Sequence, residues 1–208
     1  MVTGLFYRKQ SKDKISMGRI EILVEEPSME ECLKEVLPKI VPVGWTLEEN
    51  YFIRKHQGKS DLQKSIHSKV RVFDNWHEPA AIIILHDQDS ADCKILKTDL
   101  SDRCGDHSIP ILIRIVCREL ESWYLGDLQA VEKAYPGFKS KNYKSKAQFR
   151  NPDLLNAKDK LKKILPEYKE IASSREISKF MDIEQNRSIS FKNFVSGIQT
   201  IFNHEVFN

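Results

Sequence analysis

Short runs of branched and aromatic residues alternate with amphipathic stretches from about residue 19 to residue 118. Ile20, Ile22, Leu23 and Val24 form a β-rich run that Pro27 ends. In "PSMEECLKEVLPKI", Cys32, Leu33, Val36, Leu37 and Ile40 recur at helical spacing, and Ser28 with Glu31 predicts a capping box. "YFIRK" predicts a second strand and Gly58 a turn, and Leu62, Ile66 and Val70 mark an amphipathic helix. "AAIIILHD" is apolar on both faces, which predicts a central strand covered by helices. Ser90 is placed to cap the helix "ADCKILKTDL", and "IPILIRIVCREL" predicts a fourth strand. Strands alternating with helices predict an α/β fold, with a mostly parallel four-stranded sheet flanked by helices.

The texture changes after Leu125. Residues 126–208 read as helical and more polar, broken at Pro136, Pro152 and Pro166. The expected organisation is a disordered basic leader over 1–16, an α/β domain over 17–130 and a helical extension over 131–208 packed on it. Met17 is a candidate second start, because the first strand pattern begins just after it. "MVTGLFYRKQSKDKIS" lacks the apolar core and cleavage site of a secretory signal. No apolar run reaches the roughly 20 residues that span a bilayer. A cytoplasmic protein with no membrane partner is the expectation. Cys32, Cys93, Cys104 and Cys117 show neither a CxxC pair nor zinc spacing, so they read as buried free thiols in a reducing compartment.

The net charge of +3 hides an asymmetry. Residues 17–131 hold 14 Lys and Arg against 20 Asp and Glu, whereas residues 132–170 hold 11 against 5. That suits a chain holding a cation in one place and a polyanion in another, and equally two solvated surfaces. Neither GxGxxG nor GxxxxGK[ST] follows any strand, which argues against a dinucleotide or P-loop site.

Three strand patterns end in carboxylates: Glu25 and Glu26, then Asp87 and Asp89, then Glu119 and Glu121. In a parallel α/β sheet, ligands bind beyond the carboxyl ends of the strands. Alternate strand residues point the same way, so Asp87 and Asp89 share a side if extended geometry persists. Crowded carboxylates repel unless they share protons or a cation, and a hard ion such as Mg²⁺ or Mn²⁺ suits all-oxygen ligands. Any one of these acids is also a natural helix cap. Trp123 and Tyr124 read as core, Asp127 as a cap or a further site carboxylate, and Arg187 and Ser190 as fasteners of the last helix. "FKSKNYKSKAQFR", residues 138–150, interleaves cations with aromatic rings, the composition of a nucleic-acid contact and also of a solvated loop.

A Glu closing the first strand in "LVEEPSME" and a DxD closing the third in "LHDQDSADC" resemble the TOPRIM domain of topoisomerases, primases and overcoming-lysogenization-defect nucleases. "VEEPSMEECL", "GKSDL", "HDQDSADCKILK", "RELESWYLGD", "FRNPDLL" and "NRSISFKNF" are more closely similar to small TOPRIM-like proteins of the domain-of-unknown-function type. Those are encoded beside ABC- or AAA-type ATPases in bacterial defence islands. The likeness runs from about 19 to 195; His86 departs from it, since an apolar residue usually precedes the DxD.

The resemblance implies a Mg²⁺- or Mn²⁺-dependent nuclease cleaving phosphodiesters of DNA or RNA, the effector partner of an ATPase in phage defence. It implies metal ligands among Glu25, Asp87, Asp89, Glu119 and Glu121, with Glu25 as ligand or general acid/base. Lys59 would stabilise the phosphate, and Lys139, Lys141, Tyr143, Lys144, Lys146 and Arg150 would contact nucleic acid. A non-catalytic sensor or docking partner of the ATPase, and a phosphotransferase or primase-like module, are the competing readings. Homo-oligomerisation stays open.

Overall fold

The computed structural model describes residues 18–154 and 156–207; the expected leader over 1–16 and the candidate start Met17 lie outside the described residues. Four strands, β1 (Arg19–Val24), β2 (Tyr51–Lys55), β3 (Ala80–Asp87) and β4 (Ile111–Val116), form one all-parallel sheet in the order β2-β1-β3-β4. Chain order thus runs outward from β1 to one side and then restarts on the other. The switch point between β1 and β3 is where open α/β sheets leave a crevice beyond their carboxyl ends.

The β3 segment is buried at all eight positions, as a strand covered on both faces must be. Its odd residues Ala81, Ile83 and Leu85 join Ile20, Ile22 and Val24 in one apolar layer, and its even residues join the other. Helices α2 (Lys59–Asp74) and α3 (Cys93–Cys104) cover the even face through Leu62, Ile66, Val70, Leu96 and Leu100. The odd face is covered by α1 (Pro27–Val36), α4 (Glu121–Gly126) and α5 (Leu128–Ala134). The helices α6 (Ala157–Ile164), α7 (Glu170–Ser178) and α8 (Ile189–Phe202) extend that same core. Trp123 is its hub: the indole stands 5.0 Å from the Phe191 ring, and its N–H donates to Ser190 Oγ at 2.8 Å. Ser190 and Arg187 do fasten the last helix, Arg187 through a bond to the Lys144 carbonyl. Among the described residues no helix is long and apolar enough to cross a membrane.

Two caps differ from expectation. The first helix begins at Pro27 with Glu26 before it, so Ser28 lies inside the first turn and its hydroxyl donates to Glu26 Oε1. Proline suits that first helical position because its missing N–H has no partner to lose. The third helix is capped by Asp92, whose Oδ1 accepts from the Lys94 and Ile95 amides, and not by Ser90. At the third helix a carboxylate nearer the helix replaces the serine, whereas at the first Glu26 holds the cap position without a side-chain bond to the helix amides.

Gly126 marks a close approach between α4 and the chain leading into the last helix. Its carbonyl accepts from Arg187 N at 3.0 Å, while Asn186 Nδ2 reaches the Trp123 carbonyl at 2.9 Å. A Cβ at Gly126 would collide with Asn186 Oδ1 and lie 2.9 Å from Ser188 N. Gly126→Ala is therefore expected to cost about 1–3 kcal/mol in urea unfolding, the scale of overpacking. Gly137→Ala, where a Cβ meets nothing within 4 Å, serves as the control that stays near wild type.

Candidate functional site

The carboxyl ends of β1 and β3 bring Glu25 and Asp87 together. Register pairs Val24 with Leu85 and Asp87 with Val116, so both acids leave the sheet at the switch point. The chain after β2 closes over them: His56 N donates to Val24 O and Gly58 N to Glu25 O, each at 3.0 Å. Gly58 takes φ +92°, a conformation that side chains disfavour, and that turn sets Lys59 at the first position of α2. A cation at a helix N-terminus faces the positive end of the dipole. Here Asp89, whose Oδ2 lies 3.1 Å from Lys59 Nζ, offsets that and holds the ammonium proton more tightly than usual.

Asp87 is buried, and its Oδ1 has no hydrogen-bond partner among the described residues. Burial, and then the charges of Glu25 and Glu121, push its carboxyl well above the ordinary aspartate range. Glu25 Oε2 is likewise buried and unpartnered. Burial raises the Glu25 carboxyl too; His86 offsets part of the rise and Asp89 adds to it. His86 Nδ1 lies 3.4 Å from Glu25 Oε2 but is bonded to the Asp87 carbonyl at 2.6 Å. A carbonyl only accepts, so Nδ1 carries a proton there, and Gln63 Nε2 lies 3.1 Å from Nε2. The histidine that departs from the TOPRIM pattern is thus a strut beneath the carboxylates.

Glu121 opens α4 rather than ending a strand, and it is buried beside the same cluster. Burial raises its carboxyl, and the Tyr168 hydroxyl, donating at 2.8 Å, works against the rise. Tyr168 and Lys158 carried no sequence signal. Burial works against the Lys158 charge, yet Glu121 and Glu170 hold its proton on more tightly than usual. These two residues bring the C-terminal helices into the acidic neighbourhood.

Three expectations require correction. Asp89 does not share a side with Asp87: the ladder ends at Asp87, and Asp89 turns to φ +50° with a side chain 44% exposed. The cause is the pull of β4, since Gln88 N donates to Val116 O and Asp89 N to Arg118 O, both at 2.9 Å. Glu119 does not end a strand beside Asp87: it accepts from Lys158 N at 2.7 Å, at the start of α6. Tyr143 stacks on Phe138 at 5.1 Å and an interplanar angle of 7°, with the Lys146 ammonium over its ring, so neither face is free for a base. Lys139, Lys141, Lys144, Lys146 and Arg150 are exposed. Asp127 is a cap, accepting from Ala130 N and Asp182 N, and takes no part in the cluster.

No metal-ligating group of three or more His, Cys, Asp or Glu side chains stands ready among the described residues. The donor chemistry nevertheless fits a hard divalent ion: two buried carboxylate oxygens without partners, with further carboxylates adjoining. Fold and site together define an α/β protein with an acidic cluster at the switch point of a parallel sheet. The chain belongs to the family described as domain of unknown function DUF4276, whose model matches residues 24–199. Comparison with curated proteins and with solved structures found no match.

The raised carboxyls fix a sign for pH dependence. Asp87 and Glu25 keep protons in the folded chain where the unfolded chain has lost them, so stability in metal-free buffer falls as pH rises from the ordinary carboxylate range toward neutrality. Asp87→Asn cannot ionise, so it should flatten that decline and be more stable than wild type at neutral pH. Chemical unfolding across pH checks this; parallel profiles for wild type and variant would refute the assignment.

Proposed function

We propose that this protein is a TOPRIM-like, divalent-cation-dependent nuclease that cleaves phosphodiester bonds in a nucleic acid. The observation that carries the reading is the pair of unpartnered, buried carboxylate oxygens of Asp87 and Glu25 at the β1/β3 switch point. Carboxylates left in that state cost stability, and a cation with a phosphate ester is a ligand whose chemistry removes the cost. Asp87 and Glu25 would hold Mg²⁺ or Mn²⁺, with Asp89 joining once it leaves Lys59. Such an ion neutralises charge developing on the phosphate and acidifies an attacking water.

The chain's own groups supply the remaining parts. Glu25, raised by burial, exchanges a proton closer to neutrality than an exposed glutamate does, which suits a general acid/base. Lys59, 58% exposed at the mouth of the crevice, can trade Asp89 for a phosphate oxygen and stabilise its charge. His86 and Gln63 keep the Asp87 backbone in place. The exposed cations of 138–150 would contribute phosphate contacts without base stacking.

A second reading, a non-catalytic sensor or docking partner, draws support from Asp89 standing apart from the other two acids. Cleavage assays on plasmid, single-stranded DNA and total RNA with Mg²⁺ or Mn²⁺ separate the two. The nuclease reading expects activity that Asp87→Ala lowers at least about 100-fold with the fold retained, and Lys59→Ala about 10- to 100-fold. Cation binding without turnover in the wild type would favour the sensor.

A further inference from the structure

The four cysteines are not alike. Cys32 and Cys104 are buried, whereas Cys93 and Cys117 are half-buried. These two meet at the end of the sheet. Cys93 is the first residue of α3, directly after the turn over 88–92 that carries Asp89. Cys117 sits between Val116 and Arg118, whose carbonyls bind the two amides of that turn. Both thiols line one cleft of about 330 Å³ between α3, β4 and α8, and the Cys93 side chain lies close enough to add to the rise of the Cys117 thiol.

We propose that Cys93 and Cys117 form a reversible disulfide under mild oxidation, and that this bond clamps the Asp89 turn against the end of β4. The turn would then be fixed with Asp89 held away from Asp87 and Glu25. The consequence for the acidic cluster rests on the nuclease reading; the bond and the clamp do not.

The chemistry needs a small disulfide as oxidant, of the oxidised glutathione class. Cys93, at a helix N-terminus with Lys97 in the same cleft, gives its thiol proton to solvent. Burial pushes the Cys117 thiol up to about 11, so Cys93 attacks first. Its sulfur bonds to one glutathione sulfur, the S–S bond of the oxidant breaks, and one glutathione thiolate leaves. Cys117 then gives its proton to solvent and attacks the Cys93 sulfur, expelling the second glutathione thiolate. Two protein thiols are oxidised as one small disulfide is reduced to two thiols. Asp153, also on the cleft wall, spends its oxygens on Ser188, Ile189 and Ser190 and takes no part.

The test uses the full chain, purified reduced, incubated with oxidised glutathione, alkylated and digested without reductant. Mass spectrometry should find a Cys93–Cys117 linked peptide that dithiothreitol releases, and Cys117→Ser should instead retain glutathione on Cys93. Amide hydrogen exchange over residues 88–92 should slow roughly tenfold on oxidation and recover on reduction. Wild-type Cys93 and Cys117 that both remain alkylatable, or a persistent glutathione adduct on wild-type Cys93, would overturn the disulfide. A linked peptide with unchanged exchange would overturn the clamp. Neither readout depends on cleavage, so an inactive protein tells against the nuclease reading alone.

Discussion

The constraint on which the rest of the structure depends is the burial of carboxylate charge at one end of the sheet. Asp87 closes a strand whose other residues, His86 apart, are apolar, and its neighbours in space are Glu25 and Glu121. An ionised carboxylate in such a place lacks both water and a partner, and its neighbours repel it. The chain answers in two ways: the buried acids hold protons above the ordinary range, Asp87 well above it, and cations stand beside the cluster. Lys59 takes Asp89, and Lys158 faces Glu121.

The fold follows from that arrangement as much as it permits it. Because β1 and β3 are neighbours while their connections leave in opposite directions, the crevice between them stays open for the acids. The loop after β2 brings Lys59 over one side, and the helices after residue 125 bring Tyr168 and Lys158 to the other. The C-terminal extension therefore does more than cover the sheet. Its Ser190 accepts from the Trp123 indole and so holds the helix that carries Glu121, and its Tyr168 and Lys158 tune the Glu121 carboxyl.

The strands, their parallel character and the central place of β3 were legible because period-two burial and uninterrupted branched residues have few other solutions. Glu25 and Asp87 were legible for the same reason, since a strand's end point fixes where its last acid goes. Asp89 was not: extended geometry was carried one step past the last ladder pair, and hydrogen bonds from β4 twist the turn instead. Glu121 was placed in the right neighbourhood but on a helix, and its hydroxyl partner lies 47 residues further on, beyond the reach of any local pattern. The rings of 138–150 satisfied one another, which composition cannot distinguish from rings held ready for a base.

The central claim is that protonated, unpartnered carboxylates at the switch point are a cation seat. It is tested most directly by calorimetric titration of Mn²⁺ into wild type and Asp87→Asn, repeated in buffers of different ionisation enthalpy. The account predicts saturable binding in the wild type that releases protons, because the ion must displace what the raised carboxyls hold. It predicts loss of that binding and of the proton release in the variant. No binding in the wild type, or binding without proton release that survives Asp87→Asn, would contradict it.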